Sequence, residues 1–574
     1  MDAASAPPIT SEELAAGVEK VLAAGAPFAV QPMTIRGVDY PAVFSLSQMS
    51  LREVLAMKTM ENKDKPLIVY GDERYTTGEV WARAMRFANW LKGQGAGQGK
   101  RVAIAMRNYP EWCVAYLGII ASGATVVPLN AWWQADELRY GMEKSDAKIV
   151  VVDAKRADMI LPCKEEFGLT FVAGREETAG QDFRMHDILA DDSIPMDMPQ
   201  DPIDPDSDYC LLFTSGSTGK PKGALLTHRG VVNAVLSWSF TLAVFGVVRP
   251  EIELSPENPG ALVALPLFHV TGLHSIFLLG YLSGRKLVFT YRWDPEEAAA
   301  LTEKEKLTHF LGVPTQAYDL IKAAKPGQLD TLVDIGTGGA KRPEAQVDLQ
   351  REMYPEISAS SGYGLTETNA LGSHIALGDY KKYPSSTGRA VPPVTEVAAF
   401  SEDGKRLPDG ETGEVCIKSP ATMRGYHENE EATREAFHPD GWFRTGDVGN
   451  INAEGFITIT DRLKDMIIRG GENVSCLEVE NVLHEVEGVD EVAVFGVPHE
   501  SLGEVVGAAI YGKDTVDLEK LQDHAKSRLA PFKVPTRIWR SPTMLPRGTT
   551  GKIDKKVIRT VTSENPPHFQ RGDD

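Results

Sequence analysis

The sequence predicts an α/β protein: a large N-terminal part built on parallel strands, then a β-rich stretch, then a smaller α+β unit. Three observations predict it. The chain has 574 residues, too many for one ordinary core, so at least two domains are expected. From Leu67 onward, short continuous apolar runs alternate with segments of helical spacing, the pattern of parallel strands covered on both faces. The texture then changes twice, near Ser386 and near Lys464.

Taken in order, Ser11 to Ala23 reads as a short amphipathic helix with a capping signal. A secretory leader needs a basic start and an apolar middle, and this stretch has neither. Leu67–Tyr70 is the first strand of the alternation and Thr77 to Leu91 its helix. Val102–Ala105, Glu111–Ala121, Ala124–Leu129, Asp136–Glu143 and Ile149–Val152 continue it. Glu176 to Asp208 is acidic, dotted with proline and without period, so a surface connection is expected there. Tyr209–Phe213 is a strand and Arg229–Phe245 a helix. Leu262–Leu265 and Lys286–Thr290 are strands around an apolar helix, and Thr308–Leu311 and Leu332–Gly336 are strands again. Beyond Ser386, Glu396–Phe400, Glu414–Lys418 and Gly455–Thr460 are short strands with Gly, Asp and Pro between them. The last unit has helices at Leu477–His484 and Asp517–Arg528, and strands at Val489–Val497, Val505–Tyr511 and Thr536–Trp539.

Composition narrows the function. At 42% hydrophobic and 24% charged residues the chain is of the soluble globular type. A net charge of −20 argues against a nucleic-acid partner. The five cysteines include no C-x-x-C pair, which points to free thiols in a reducing, cytoplasmic compartment. Gly230–Val248 and Ala261–Gly284 reach membrane-span length, but Asn233, Pro266, His269 and His274 interrupt them. Both are expected to be buried core, with Leu242–Val248 a candidate for peripheral membrane contact.

One stretch organises the chemistry: Leu211-Leu212-Phe213-Thr214-Ser215-Gly216-Ser217-Thr218-Gly219-Lys220-Pro221-Lys222-Gly223. An apolar run ends in hydroxyls, glycines follow that let backbone N–H groups face an anion, and two lysines add charge. It is not a Walker A loop, because Pro221 stands where Gly is needed and again where Ser or Thr would follow the lysine. Four further stretches follow. They are Gly336-Thr337-Gly338-Gly339-Ala340, Ser360-Ser361-Gly362-Tyr363-Gly364-Leu365-Thr366-Glu367-Thr368, Trp442-Phe443-Arg444-Thr445-Gly446-Asp447, and Leu545-Pro546-Arg547-Gly548-Thr549-Thr550-Gly551-Lys552.

In this order the stretches resemble those of the adenylate-forming enzymes: acyl-CoA synthetases, luciferases and peptide-synthetase adenylation domains. The resemblance covers nearly the whole chain. It implies an α/β fold with a large N-terminal domain of doubly wound sheets, residues 1–462, carrying a β-rich subdomain at about 386–460. A small α+β C-terminal lid domain, residues 463–574, follows. It implies nucleotide binding by Thr214, Ser215, Gly216, Ser217, Thr218, Gly219, Lys220 and Lys222, by Gly338, Gly339 and Ala340, and by Gly362, Tyr363, Gly364 and Thr366. Tyr363 would stack on adenine, Asp447 bind the ribose hydroxyls and Arg462 reach the nucleotide. Glu367 would bind Mg²⁺, a hard cation that suits a carboxylate oxygen.

Further roles carry over in the same way. Lys464, in Asp461-Arg462-Leu463-Lys464-Asp465, stands at the pivot between the domains. Arg469, Gly470 and Gly471 would line a CoA channel. Lys341 and Cys476 stand where relatives often have proline. Lys552 would bridge the acid and the α-phosphate. His269, in Pro266-Leu267-Phe268-His269, would lie beside the carboxylate as a gate or positioning group, and Trp238 would line the acyl pocket.

The implied function is ATP-dependent activation of a carboxylic acid through acyl-AMP and transfer to CoA. Medium- or long-chain fatty acids are the first expectation for the acid and aryl acids the second. A homodimer is implied by the same resemblance. Two alternatives stay open on sequence alone. One is an adenylate-forming enzyme with another acceptor, a carrier-protein thiol or oxygen; the other is a non-catalytic nucleotide-binding protein.

Overall fold

Two large, mostly parallel sheets carry the N-terminal domain in the computed structural model, which describes residues 6–214, 221–254, 256–463, 465–469, 472–500, 502–548 and 552–571. The first sheet has eight strands. Its order is Gly425–Tyr426, Lys222–Thr227, Asp208–Thr214, Thr125–Pro128, Arg101–Ala105, Ile149–Val152, Thr170–Ala173 and Phe183–Arg184. The second has nine: Arg389–Ala390, Ser373–Ala376, Ser358–Tyr363, Asp334–Gly338, His309–Gly312, Gly260–Val263, Lys286–Phe289, Pro66–Tyr70 and Glu73–Thr76. Strands such as Ile149–Val152 are buried along their whole length, as the continuous apolar runs require.

A layer of helices between the sheets forms the largest core cluster. Pro110–Ser122 has twelve of its thirteen residues buried, so it is apolar on every side rather than amphipathic. Thr77–Gly93 packs beside it. His228–Val248 passes through the same core, its fourteen buried residues including Asn233 and Phe240. By length and composition this helix could cross a membrane, with a mean hydropathy of 1.9 in its most apolar window. However, 61% of that window is buried inside the protein. Its C-terminal end, the candidate for membrane contact, is met by the helix Ser11–Ala23. A methyl group on Gly17 would lie 2.6 Å from Val248 Cγ2.

The β-rich part is a four-stranded antiparallel sheet, in the order Glu396–Phe400, Gly413–Lys418, Phe443–Ile451 and Ile457–Arg462. The smaller C-terminal domain has its own sheet, beginning at Ile467–Arg469 and centred on the long hairpin Val489–His499/Gly503–Gly512. It also has its own apolar core, around Val479, Val494 and Ile538.

The structure corrects several sequence expectations. The first helix spans Ser11–Ala23 as expected, and Thr10 caps it, exchanging both bonds of a capping box with Glu13. Glu176–Asp208 is not all connection. It contains the edge strand Phe183–Arg184 and the helix Met185–Ala190, whose Met185 and Ile188 are buried. Six helical residues are too few to show a period. The apolar helix before Lys286 is π-helical over Thr271–Leu278 before it becomes α-helical at Leu279–Ser283. Strands at Lys222–Thr227, Ser373–Ala376 and Phe443–Ile451 were not read from the sequence.

Candidate functional site

The site collects at the C-terminal ends of the parallel strands, where an open α/β sheet offers its crevice. Asp208–Thr214 pairs antiparallel with Lys222–Thr227, with Thr214 opposite Lys222, so the phosphate-loop stretch spans the tip of a hairpin. Ser215, Gly216, Ser217, Thr218, Gly219 and Lys220 themselves lie outside the described residues. Asp334–Gly338 and Ser358–Tyr363 run parallel as neighbours, with Gly338 opposite Gly362. This brings the two glycine-rich stretches side by side. Beyond them Gly364 has no room for a side chain: a Cβ there would lie 2.3 Å from the backbone of Ala370.

Tyr363 donates its hydroxyl to Asp447 Oδ2 at 2.6 Å. The other oxygen of Asp447 meets Arg462 Nε at 3.0 Å. Asp447 and Arg462 are also cross-strand partners in the four-stranded sheet. One carboxylate thus joins the tyrosine of the nine-stranded sheet to the last residue before the C-terminal domain's approach.

Glu367 sits in the short turn Thr366–Thr368. Thr366 is half-buried, whereas Glu367 is buried. Tyr426 donates its hydroxyl to Glu367 Oε1 at 2.8 Å, and Lys222 Nζ lies 5.0 Å from the Tyr426 ring centre. Burial raises the Glu367 pKa, against the pull of the Tyr426 hydroxyl and of Arg462 and Lys222. A buried carboxylate held by a neutral hydroxyl suits a divalent cation.

Lys552 enters this cluster from the C-terminal domain. A methyl group placed on Gly339 would lie 3.4 Å from Lys552 Cε and 3.9 Å from its Nζ. Gly339 has φ of +76°, so glycine is needed there for its backbone as well as for the approach. Burial, reinforced by Arg462, lowers the Lys552 pKa to about 8, with Asp447 opposing. His269 stands just before the π-helix, its N–H bonded to Pro266 O and its C=O to Leu273 N–H. Burial and the Lys552 charge hold its pKa at about 3, so its imidazole is neutral at physiological pH. Ala340 is exposed at the rim.

Trp238 faces the same glycines from the long helix: a methyl group on Gly362 would lie 3.4 Å from Trp238 Cη2. The Trp238 ring meets His374 edge-on at 5.8 Å, and His374 meets Phe245 at 5.6 Å. Neither Trp238 Nε1 nor His374 Nδ1, both buried atoms, has a hydrogen-bond partner among the described residues. Sequence reasoning found Trp238 but not His374, Phe245 or Tyr426. His374 and Tyr426 lie on short strands, and no spacing signal ties them to the motifs.

Arg469 lies in the strand Ile467–Arg469 of the C-terminal sheet, opposite Glu472 and Gly503. Gly470, Gly471 and Lys464 lie outside the described residues.

The family model for AMP-binding enzymes matches residues 55–427, and that for the AMP-binding enzyme C-terminal domain matches residues 478–552. The chain belongs to the AMP-binding enzyme family. Among curated members, a long-chain-fatty-acid–CoA ligase of Mycobacterium tuberculosis is 34% identical over 503 residues, covering 86% of this chain and 95% of that protein. A feruloyl-CoA synthase of Amycolatopsis is 33% identical over 498 residues, covering 85% and 94%. Among solved structures, ATP-bound MatB from Rhodopseudomonas palustris superposes with a TM-score of 0.78 at 28% identity, covering 89% of this chain and 99% of that one. Against apo MatB the TM-score is 0.70. The arrangement seen here is thus closer to the ATP-bound form of that relative than to its empty one.

Proposed function

We propose that this member of the family is an AMP-forming acid–CoA ligase in its adenylating arrangement, with Lys552 as the residue that completes the site. One observation carries the assignment: a lysine from the C-terminal domain is seated against Gly339, within electrostatic reach of Asp447, Arg462 and His269. A carboxylate is a poor acyl donor because its charge repels nucleophiles and oxide leaves badly. Attack of a carboxylate oxygen on the α-phosphorus of ATP, with pyrophosphate leaving, removes both obstacles. This step needs charge neutralisation and alignment more than proton transfer.

Each group then has a part. The ammonium of Lys552 draws the carboxylate and the α-phosphate together. Asp447 accepts from the ribose hydroxyls, with Tyr363 beside the base and Thr366 and the Thr214–Lys222 hairpin at the phosphates. Glu367 would hold Mg²⁺, which would supply charge neutralisation on the triphosphate. Neutral His269 positions the carboxylate without adding a charge beside it. The chain pivots at Lys464, between an N-terminal domain of residues 1–462 and a lid of residues 463–574. Lys552 then withdraws and the Arg469–Gly471 edge meets CoA. The CoA thiol attacks the acyl carbon and AMP leaves.

The buried, unpaired cysteines support a reducing compartment and so a cytoplasmic enzyme. A homodimer rests on the family resemblance alone. Acid-dependent release of pyrophosphate from MgATP, with and without CoA, tests the reading. Turnover that needs CoA and yields AMP and an acyl thioester is the expected result. Acyl-AMP without any CoA product redirects the assignment to another acceptor, and nucleotide binding without turnover of any acid refutes it.

A further inference from the structure

The cluster beyond Trp238 is covered by residues that precede the family match, which begins at residue 55. The segment from Ala6 to Ile9 crosses the far end of the long helix as a strap. Ala6 and Ile9 are 3% and 2% exposed. Both pack in one apolar cluster with Phe245, Leu254 and Leu377. The strap is tied at several points. Ile9 N–H donates to Asp379 Oδ1 at 2.8 Å, and Arg389 donates to Ile9 O. Arg249 donates to Pro8 O at 3.0 Å and to Glu13 Oε1 at 3.1 Å. At Gly378 a Cβ would lie 2.2 Å from Ala6 O, so the seat for the strap is cut to backbone width.

The line from the chemistry to the strap is continuous. Gly362 touches Trp238, Trp238 meets His374, and His374 meets Phe245. Beyond them a cavity of only about 20 Å³ remains, lined by Ile9, Leu14, Thr241, Phe245, His374 and Arg389 among others. That is room for one water and not for further methylenes. From Trp238 to Phe245 the helix rises about 10 Å at roughly 1.5 Å per residue. A long-chain tail spans one leaflet, about 15 Å or half of the hydrocarbon core of a bilayer.

We propose that the N-terminal strap is the length-determining wall of the acyl pocket, and that the acid is a medium-length chain or a one-ring aryl acid rather than a long-chain one. The inference rests on the ligase reading above. Its test is kcat/KM for acids of graded length in the parent, in Ile9→Ala and Leu14→Ala, and in Leu14→Phe, which adds bulk at the wall. The parent is expected to favour octanoate over hexadecanoate. The alanine variants are expected to raise the hexadecanoate-to-octanoate ratio at least about tenfold, and Leu14→Phe to shift preference toward shorter acids. A parent that uses both acids equally overturns the strap's role, as does a ratio unmoved within about twofold in all three variants; in either case ligase activity stands. Absence of turnover with every acid overturns the ligase reading instead. Direct binding of the same acids, measured by calorimetry, then still reads the length limit, which the alanine variants are expected to relax; an unchanged limit overturns the strap.

Discussion

Lys552 provides a pH test of adenylation whose size follows from its surroundings. With its pKa at about 8, its ammonium is about nine-tenths populated at pH 7 and about one-tenth at pH 9, since one pH unit changes the ratio tenfold. The charge is lost as pH rises, so kcat/KM for MgATP in acyl-AMP formation is expected to fall about tenfold from pH 7 to pH 9. That parameter reports groups of the free enzyme, which is the state to which the pKa applies. The assay is pyrophosphate release at acid well below its KM, so that the free enzyme is titrated, in a constant-ionic-strength buffer series. Lys552→Arg keeps the charge through this range, so whatever activity it retains is expected to be flat to pH 9. Transfer from supplied acyl-AMP to CoA is expected to lack the alkaline fall in either protein. A parent profile flat to pH 9 refutes the assignment, as does an equal fall in Lys552→Arg.

Three further outcomes are expected. Lys552→Ala slows acyl-AMP formation by about 10²–10³-fold, the cost of removing one preorganised electrostatic group, with far less effect on transfer from supplied acyl-AMP; equal losses in single-turnover assays of the two steps count against the role. Tyr363→Phe removes the hydroxyl held 2.6 Å from Asp447 and raises the KM for ATP by roughly tenfold or more, the worth of a hydrogen bond to a charged group; an unchanged KM refutes the coupling. Glu367→Gln raises the Mg²⁺ concentration needed for half-maximal adenylation by at least about tenfold, and an unaltered Mg²⁺ titration removes the metal assignment.

The parallel strands were legible because burial on both faces leaves an unbroken apolar run, as in Ile149–Val152. The site motifs were legible because glycine turns and charged residues rarely recur in one fixed order by chance. Pairing was not. Lys222–Thr227 shares its apolar character with the hairpin partner Asp208–Thr214, and without the fold it reads as the tail of a loop. Gly425–Tyr426 is two residues long, yet it joins the eight-stranded sheet beside Lys222–Thr227 and presents Tyr426 to Glu367. His374 reaches Trp238 across 136 positions of chain, a distance at which periodicity carries no information. The strap, Ala6–Ile9, carries no signal in the sequence, because its burial is decided by Asp379, Arg389 and Arg249 far along the chain.

The Asp447–Arg462 rung has a thermodynamic consequence. Asp447 is the ribose-binding carboxylate of the proposed mechanism, and Arg462 stands two residues before the proposed pivot. Nucleotide and lid orientation therefore act on the same ion pair, and their effects on it are reciprocal. If turning the lid loosens the pair and frees Asp447 for the ribose, a bound nucleotide biases the lid toward turning by the same factor. If turning tightens it, AMP is expelled as the lid moves. Measuring AMP affinity in chains locked in each orientation gives the sign, and with it whether product release is driven by the domain motion or waits for it.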